Sequence, residues 1–474
     1  MTTVSRPRFT SLLAATLVGV YLLVVVGATA SLADAVAACG TWPTCSGPLT
    51  DPQVAVATGH RLVAVVVGLL GLTTAVVGWS AATTRVRLAL LVAGVAYPLQ
   101  AGVGASVALE GAPRALAGTH LLVGTVIFTA LALALAWQLE AETGTDDRPD
   151  GSLDTPDPAL DETPVDRPTA PLAADVGPVA RAKRVGWAYF QLMKPRLMWL
   201  LCLVASAGMA LAAGPDLSLD TIVFTLLGGV LSIGASGTFN HVLERDVDKR
   251  MQRTSDRPLA THEVPVRNAL AFAAVLTVLS LVAFLQVNVL VATLGFVAIL
   301  FYSVVYTLVL KPNTVQNTVI GGAAGALPAL IGYVAVTGWV GIDGLGSLLP
   351  GLVLAGVIFL WTPAHFYNLA LAYKDDYARG GFPMMPVVRG ETVTRKHILW
   401  YLAATLIAAT ALTAQTGLGW LYAAATVVFG GVFLWAVVRL HREQTESAAF
   451  RAFHASNAYL GTVLIAVLVD ASVV

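Results

Sequence analysis

Residues 221–258 read TIVFTLLGGVLSIGASGTFNHVLERDVDKRMQRTSDRP, an apolar run that passes without a break into a cluster of charges. An apolar run of about 20 residues crosses the hydrocarbon layer as a helix, whereas a helix on a soluble protein breaks such a run every three or four positions. The polar end has a register of its own. Asn240, Glu244 and Asp248 are spaced four apart, which drifts by only about 40° per step, so three oxygen-bearing side chains share one helical face. Asp246 points away from that face. Oxygen clusters of this kind suit Mg²⁺, a hard cation whose shell is readily completed by phosphate oxygens. Arg253 and Arg257 supply the forked cationic donors that a diphosphate needs. Loop charges that merely fix topology are the plainer reading, but that role does not require carboxylates in helical register beside an arginine pair.

The rest of the chain repeats the apolar pattern. Of its 474 residues 57% are hydrophobic and 12% charged, in apolar runs separated by short polar segments, which makes it an all-α polytopic membrane protein. Four spans begin near Ser11, Ala55, Arg87 and Ala115. Nine more begin near Lys194, Thr221, Arg267, Val289, Val315, Leu348, His397, Leu418 and Ala452. Alternating the loops from a cytoplasmic N-terminus leaves only Arg61 and Arg114, of 28 Lys and Arg residues, outside. The N-terminus and both acidic loops are therefore expected in the cytoplasm, and the C-terminus outside the cell membrane. The first span is too long, and lacks a cleavage site, to be a removable signal peptide.

Between the two sets of spans, Glu140 to Asp175 holds eleven acidic residues against Arg148 and Arg167, with many Pro and Thr and almost no aromatic residues. That composition predicts a disordered acidic cytoplasmic linker over residues 140–185. It separates a four-helix membrane domain, residues 1–139, from a nine-helix domain, residues 186–474. Three cysteines are too few for a disulfide scaffold. Cys39 and Cys45 share the first outer loop, where an oxidising compartment allows a bridge. Net charge is zero, and nothing in the charge pattern calls for a nucleic acid.

A second polar cluster follows the sixth span of the large domain and contains Trp361, His365, Asn368, Lys374, Asp375, Asp376 and Tyr377. His365, Asn368 and Asp376 fall on one helical stripe that ends at the same membrane face as the first cluster. Asp375 and Asp376 could hold a second metal there, while His365 and Lys374 are candidates for substrate binding. His365 taken alone reads equally well as an interfacial residue. Lys311, in the tiny loop Lys311–Asn317, reaches a phosphate or simply anchors the inner face. The small residues from Gly321 to Gly325 point to close helix packing.

Asn240, Glu244, Asp246, Asp248, Met251, Arg253, Thr254, Arg257 and Pro258, at this spacing, resemble the first signature of the intramembrane prenyltransferases. Within that family, Trp361-Thr-Pro-x-His365-Phe, Asp375-Asp-Tyr and Pro383-Met-x-Pro386-Val are similar to the protoheme farnesyltransferases, or heme O synthases. The likeness covers about Trp187 to Val474, with one departure, since the family usually has Asp where this chain has Glu244. It implies a nine-helix bundle with a central cavity, and transfer of a farnesyl group from farnesyl diphosphate to a vinyl group of protoheme IX. Asn240, Glu244, Asp248, Asp375 and Asp376 would be the Mg²⁺ ligands. Arg253, Arg257 and Lys311 would clamp the diphosphate, with His365, Asn368 and Lys374 at the substrates.

Residues from about Phe9 to Leu139 resemble half of a heme A synthase, through Cys39, Trp42-Pro-Thr-Cys45-x-Gly47, His60-Arg61 and His120. That likeness implies a heme b held by His60 and His120. Full-length members have two such halves, so pairing with a second copy or with a heme A synthase is an expectation. Their catalytic Glu, three residues before the first His, is Ala57 here, and heme A synthase activity is not implied for this half alone. Two rivals stand beside the main reading. The same chemistry could act on a quinone precursor or a lipid acceptor, against which the His365 segment counts. A heme-binding or transport protein without enzymatic activity would place polar residues at the midplane, whereas here they gather at one face.

Overall fold

A computed structural model of the chain describes residues 6–32, 35, 38–110, 114–145, 147, 177–338, 341 and 344–473. Among them there is no strand. The helices are α1 (Arg6–Leu32), α2 (Pro52–Gly78), α3 (Thr84–Glu110), α4 (Arg114–Thr143), α5 (Pro178–Leu192), α6 (Pro195–Ala213) and α7 (Leu219–Asp248). They continue as α8 (Val266–Leu285), α9 (Val289–Leu300), α10 (Asn317–Thr337), α11 (Leu349–Ala372), α12 (Glu391–Gln415), α13 (Trp420–Glu443) and α14 (Glu446–Val473). Short helices at Lys374–Arg379 and Met385–Arg389 lie between α11 and α12.

Among the described residues, 13 helices are long and apolar enough to cross a membrane. Each begins within six residues of a start read from the sequence. Apolar side chains cover their outer surfaces, as on α8, where Val275, Val278, Leu279 and Val282 are all exposed. Such a surface is stable against lipid rather than water, and the chain is a multi-pass membrane protein. The expected linker falls largely on residues 146 and 148–176, outside the described residues. Its edges are helical, since α4 runs on to Thr143 and α5 opens at Pro178.

Packing divides the chain into two compact units. The first contains residues up to Asp146 and Arg395–Asp470, so α13 and most of α12 and α14 belong with α1–α4. In this unit α1 packs on α2, α4 and α13. The Tyr21 hydroxyl on α1 donates to the Leu406 carbonyl on α12 at 3.4 Å, and Lys396 pairs with Glu140. The expected bridge between Cys39 and Cys45 is present. The Arg61 guanidinium donates to the Thr41, Pro43 and Thr44 carbonyls of that loop at 2.8, 3.3 and 3.0 Å.

The second unit, residues 147–394 with a few C-terminal residues, holds α5–α11. Here small residues bring backbones together, as the sequence implies. A Cβ on Gly332 of α10 would collide with the Ala205 carbonyl of α6, and one on Gly322 would stand 3.1 Å from the Phe359 carbonyl of α11. After α9 the chain continues as a π-helix, Phe301–Leu310. The wider winding is visible in the Thr307 hydroxyl, which donates to the Tyr302 carbonyl five residues back at 2.9 Å. Such segments are frequent at functional sites, and this one leads directly into Lys311.

Candidate active site

The spacing on α7 works as the helical period requires. Asn240, Glu244 and Asp248 are 2%, 6% and 2% exposed, on one buried face. Asp246 is exposed and pairs with Arg245 and Lys249 at 3.4 and 3.2 Å. Each buried acid meets a cation from another element. Lys311 Nζ donates to Glu244 Oε1 at 2.5 Å and lies 4.2 Å from the Phe382 ring centroid. Arg257 NH1 donates to both Asp248 oxygens at 2.9 Å and comes within 4.0 Å of Glu244. Asn240 donates to the Thr307 hydroxyl at 3.2 Å and accepts from Lys194.

Lys194 did not stand out in the sequence except as the start of a span. It sits between α5 and α6 in the left-handed region, φ 55° and ψ 58°, which is uncommon for a side chain other than Asn, Asp or Gly. The Lys-Pro step makes that geometry useful, because Pro195 opens α6 without needing a donor. The lysine then turns its ammonium onto Asn240 and onto the Tyr302 hydroxyl, 3.1 Å away. Burial pulls its pKa down to about 7, helped by the charge of Arg257 and opposed by Glu244 and Asp248.

Asp376 is a second convergence. Its carboxylate accepts the backbone N–H groups of Gln252 and Arg253 at 2.8 and 3.0 Å, and Arg379 donates to it at 2.5 Å. Burial raises its pKa, but the two amides and Arg379 outweigh burial and hold it below the ordinary carboxylate value. The loop after α7 is thereby tied to the segment after α11. This fixes the Arg253 guanidinium over the Tyr373 and Tyr377 rings, at 5.1 and 5.6 Å from their centroids. Burial raises the Tyr377 pKa, with the charge of Arg253 acting the other way, and the phenol stays neutral at ordinary pH.

The single stripe expected for His365, Asn368 and Asp376 is broken. Tyr373, at φ −114° and ψ 29°, ends α11, and Asp376 rides on the separate helix Lys374–Arg379. Asp375 is exposed, and Lys374 pairs with Glu391 at 3.1 Å. His365 stacks on Trp361, with centroids 4.2 Å apart. Asn368 is fully buried and donates to the Ala364 carbonyl at 2.6 Å, while its Oδ1 has no hydrogen-bond partner among the described residues. No group of three or more His, Cys, Asp or Glu side chains gathers in metal-binding geometry among the described residues. The oxygen set that does converge is two carboxylates and one amide on α7, which suits a hard cation completed by other ligands.

A cavity of about 90 Å³ opens beside this ionic cluster. Ser232 and Ser236, which lie eight and four residues before Asn240 on the same face of α7, line it together with Lys194, Tyr302, Leu201 and Pro328. A cluster of paired acids and cations therefore leads into a largely apolar slot along one helix.

The UbiA prenyltransferase family profile matches residues 200–460, more than half of the chain. The chain belongs to the UbiA prenyltransferase family. It is 66% identical over 462 residues to protoheme IX farnesyltransferase 1 of Natronomonas pharaonis, covering 98% of each chain. It is 65% identical over 472 residues to protoheme IX farnesyltransferase of Haloarcula marismortui, again covering 98% of each. Among solved structures, that of a digeranylgeranylglyceryl phosphate synthase matches 61% of this chain and 100% of its own with a TM-score of 0.51. At 15% identity that likeness speaks for the UbiA fold alone. The UbiA match takes in α12, α13 and part of α14, helices that pack largely in the first unit.

The tie made by Asp376 predicts a specific defect. Replacing Asp376 by Asn should free the loop after α7, because losing a charged acceptor for two amides costs roughly 1.5–3 kcal/mol. Limited trypsin digestion should then cut at Arg250 or Arg253 at least several-fold faster, with Asp375→Asn unchanged. Equal protection in wild type and Asp376→Asn would remove the anchoring role. Because the folded pKa is depressed, the anchor is complete above about pH 4 and is lost only as pH falls through the lower folded value. Protection should therefore be flat from about pH 5 to pH 8.

Proposed function

We propose that this protein transfers a farnesyl group from farnesyl diphosphate to a vinyl group of protoheme IX, forming heme O and diphosphate. The observation that carries the reaction type is the buried face of Asn240, Glu244 and Asp248, ringed by Lys194, Arg257 and Lys311 and opening along α7 into the cavity. The identity of both substrates rests on the relatives named protoheme IX farnesyltransferase.

The reaction needs the C1–O bond of an allylic diphosphate to break, so the site must stabilise charge on the leaving group and keep water from the cation. Arg257, Arg253, Lys311 and Lys194 bind the diphosphate oxygens as a preorganised cationic clamp. The slot between α6, α7 and α10 takes the prenyl tail, and its apolar walls exclude water. Tyr302 and Tyr306, with stacked rings 5.6 Å apart, present π-faces at the junction where positive charge develops. Asn240, Glu244 and Asp248 fit Mg²⁺, and Asp375 and Asp376 remain candidates for a second ion. Bound there, Mg²⁺ would neutralise diphosphate charge. His365, stacked on Trp361, and Asn368, with Lys374 nearby in sequence, serve the macrocycle. The inside-positive count puts this face in the cytoplasm.

Incubating the purified chain in lipid nanodiscs with farnesyl diphosphate and protoheme, followed by mass spectrometry, should give the farnesylated heme and stoichiometric diphosphate. Parallel acceptors of the quinone-precursor and glycerol-ether types test the rival chemistry. Product from one of these and none from heme would overturn the acceptor assignment, and absence of any donor-dependent diphosphate release would overturn the enzymatic one.

A second activity is proposed for the first unit, namely heme b binding by His60 and His120. Among the described residues neither buried Nδ1 finds a hydrogen-bond partner, and each imidazole rests over a glycine of a neighbouring helix. A Cβ on Gly27 would stand 3.2 Å from His60 Cε1, and one on Gly104 would stand 2.9 Å from His120 Cε1. Two histidines on separate helices would hold a heme through its iron, and two imidazole ligands would give it a low-spin state. The full chain titrated with heme should show a low-spin spectrum that His60→Ala and His120→Ala each abolish. Retention of that spectrum in both variants would remove the ligand assignment and leave the transferase reading intact.

A further inference from the structure

Helix α5 is too short to cross a membrane and joins no longer apolar span, and its fifteen residues contain Arg181, Lys183 and Arg184 but no acid. Its inner side is fixed to the protein. Ala188 and Leu192 are buried against Val242, Leu259, Val264 and Ala269, and Tyr189 meets Phe272 edge-on at 5.0 Å. Arg184 pairs with Glu263 at 3.4 Å. The outer side is unusual for a water-facing helix, with Trp187 60%, Phe190 43% and Val179 69% exposed. The Trp187 and Phe190 rings touch, with centroids 5.5 Å apart. Trp199 and Leu197 continue the exposed apolar belt at the start of α6, beside exposed Arg196.

Aromatic rings mixed with cations at the end of a membrane span match the chemistry of the headgroup layer, apolar below and polyanionic above. We propose that the outer face of α5 is a binding surface for anionic phospholipid headgroups, and that its seating on the membrane holds Lys194 against Asn240. The partner is a lipid surface rather than a protein because Arg181 and Lys183 are exposed on a helix that carries no acid of its own, beside a small aromatic patch that adjoins the membrane-crossing helix α6. The second half of the proposal rests on the prenyltransferase reading. Its mechanical basis is the turn after α5. A Cβ on Gly237 of α7 would lie 2.8 Å from the Leu192 carbonyl and 3.2 Å from Lys194 Cγ. That turn is wedged one helical turn from Asn240, so tilting α5 moves Lys194 along the α7 ligand face.

Gly186 has nothing within 4 Å of a built Cβ and offers a neutral labelling position. The full chain carrying Gly186→Cys and Cys202→Ser, labelled with an environment-sensitive fluorophore, is placed in nanodiscs of phosphatidylcholine with or without about 30% phosphatidylglycerol. The label should be shielded from aqueous iodide and quenched by headgroup-level nitroxide lipid, more strongly in the anionic discs. Arg181→Gln with Lys183→Gln should erase the difference between the two lipids. Iodide quenching at the level of a free, water-exposed dye in both lipids would overturn the surface. On the activity side, kcat/KM for farnesyl diphosphate should rise several-fold in anionic discs, and the double Gln variant should lose that rise. Lipid binding with no lipid dependence of kcat/KM would overturn the link to Lys194. A chain without any transfer that still shows the lipid-dependent label response would indict the catalytic reading and not the surface.

Discussion

Asp248→Ala should abolish prenyl transfer, by about a hundred- to a thousandfold or more, while the protein still accumulates in the membrane. Asp248 is 2% exposed, and both of its oxygens are held by Arg257 NH1. Removing it deletes one of two converging carboxylates and leaves the guanidinium without its partner, so both metal binding and the alignment of Arg257 are lost. Asp248→Asn keeps the size and an acceptor for Arg257, and should still be severely impaired because the negative charge is gone. Asp246, only two residues away, is a built-in control. It is exposed and, among the described residues, engaged only with Arg245 and Lys249, so Asp246→Ala should change turnover by less than about threefold. The measurement is diphosphate release per unit of membrane-inserted protein. Equal losses in the Asp246 and Asp248 variants would show that the buried face of α7 is not the working one.

Replacing Arg257 or Arg253 by Lys should cost about ten- to a hundredfold in kcat/KM for the prenyl diphosphate even though charge is retained. Arg257 reaches Asp248 and approaches Glu244 with one nitrogen, NH1. A lysine offers a single ammonium and cannot present a planar fork to carboxylate and diphosphate together. For Arg253 the loss has a further source, the stacking of its guanidinium over Tyr373 and Tyr377. Initial rates over a range of donor concentrations separate the cases, with most of the effect expected in KM. A Lys variant with unchanged turnover and unchanged donor affinity would count against the forked contact.

Much of this protein is legible in one dimension because lipid imposes one-dimensional rules. Each span must be a helix of sufficient length, and the apolar runs beginning near Ser11, Thr221 and Val289 are read directly as α1, α7 and α9. The ligand face of Asn240, Glu244 and Asp248 is legible for the same reason, since all three belong to one helix and the helical period alone brings them together. That rule fails once a helix stops. His365, Asn368 and Asp376 have the spacing of a stripe, but Tyr373 ends α11 between them and sends the carboxylate to the amides of Gln252 and Arg253.

Contacts between elements depend on packing, which no periodicity encodes. Lys194 lies 46 residues from Asn240 and reaches it only because its own backbone is left-handed and Gly237 lets the preceding turn press against α7. Lys311 meets Glu244 across 67 residues at the end of a π-helical segment. The grouping of α13 and most of α12 and α14 with α1–α4 is a decision of the same kind. Every apolar run qualifies as a span by composition, but which spans pack together is set by side-chain fit, such as Tyr21 on α1 reaching the Leu406 carbonyl. The sequence by itself determined the membrane helices and the acidic face of α7, through helix length and helical period. Tertiary structure alone decided which cations complete that face, because their positions follow from how separate helices pack.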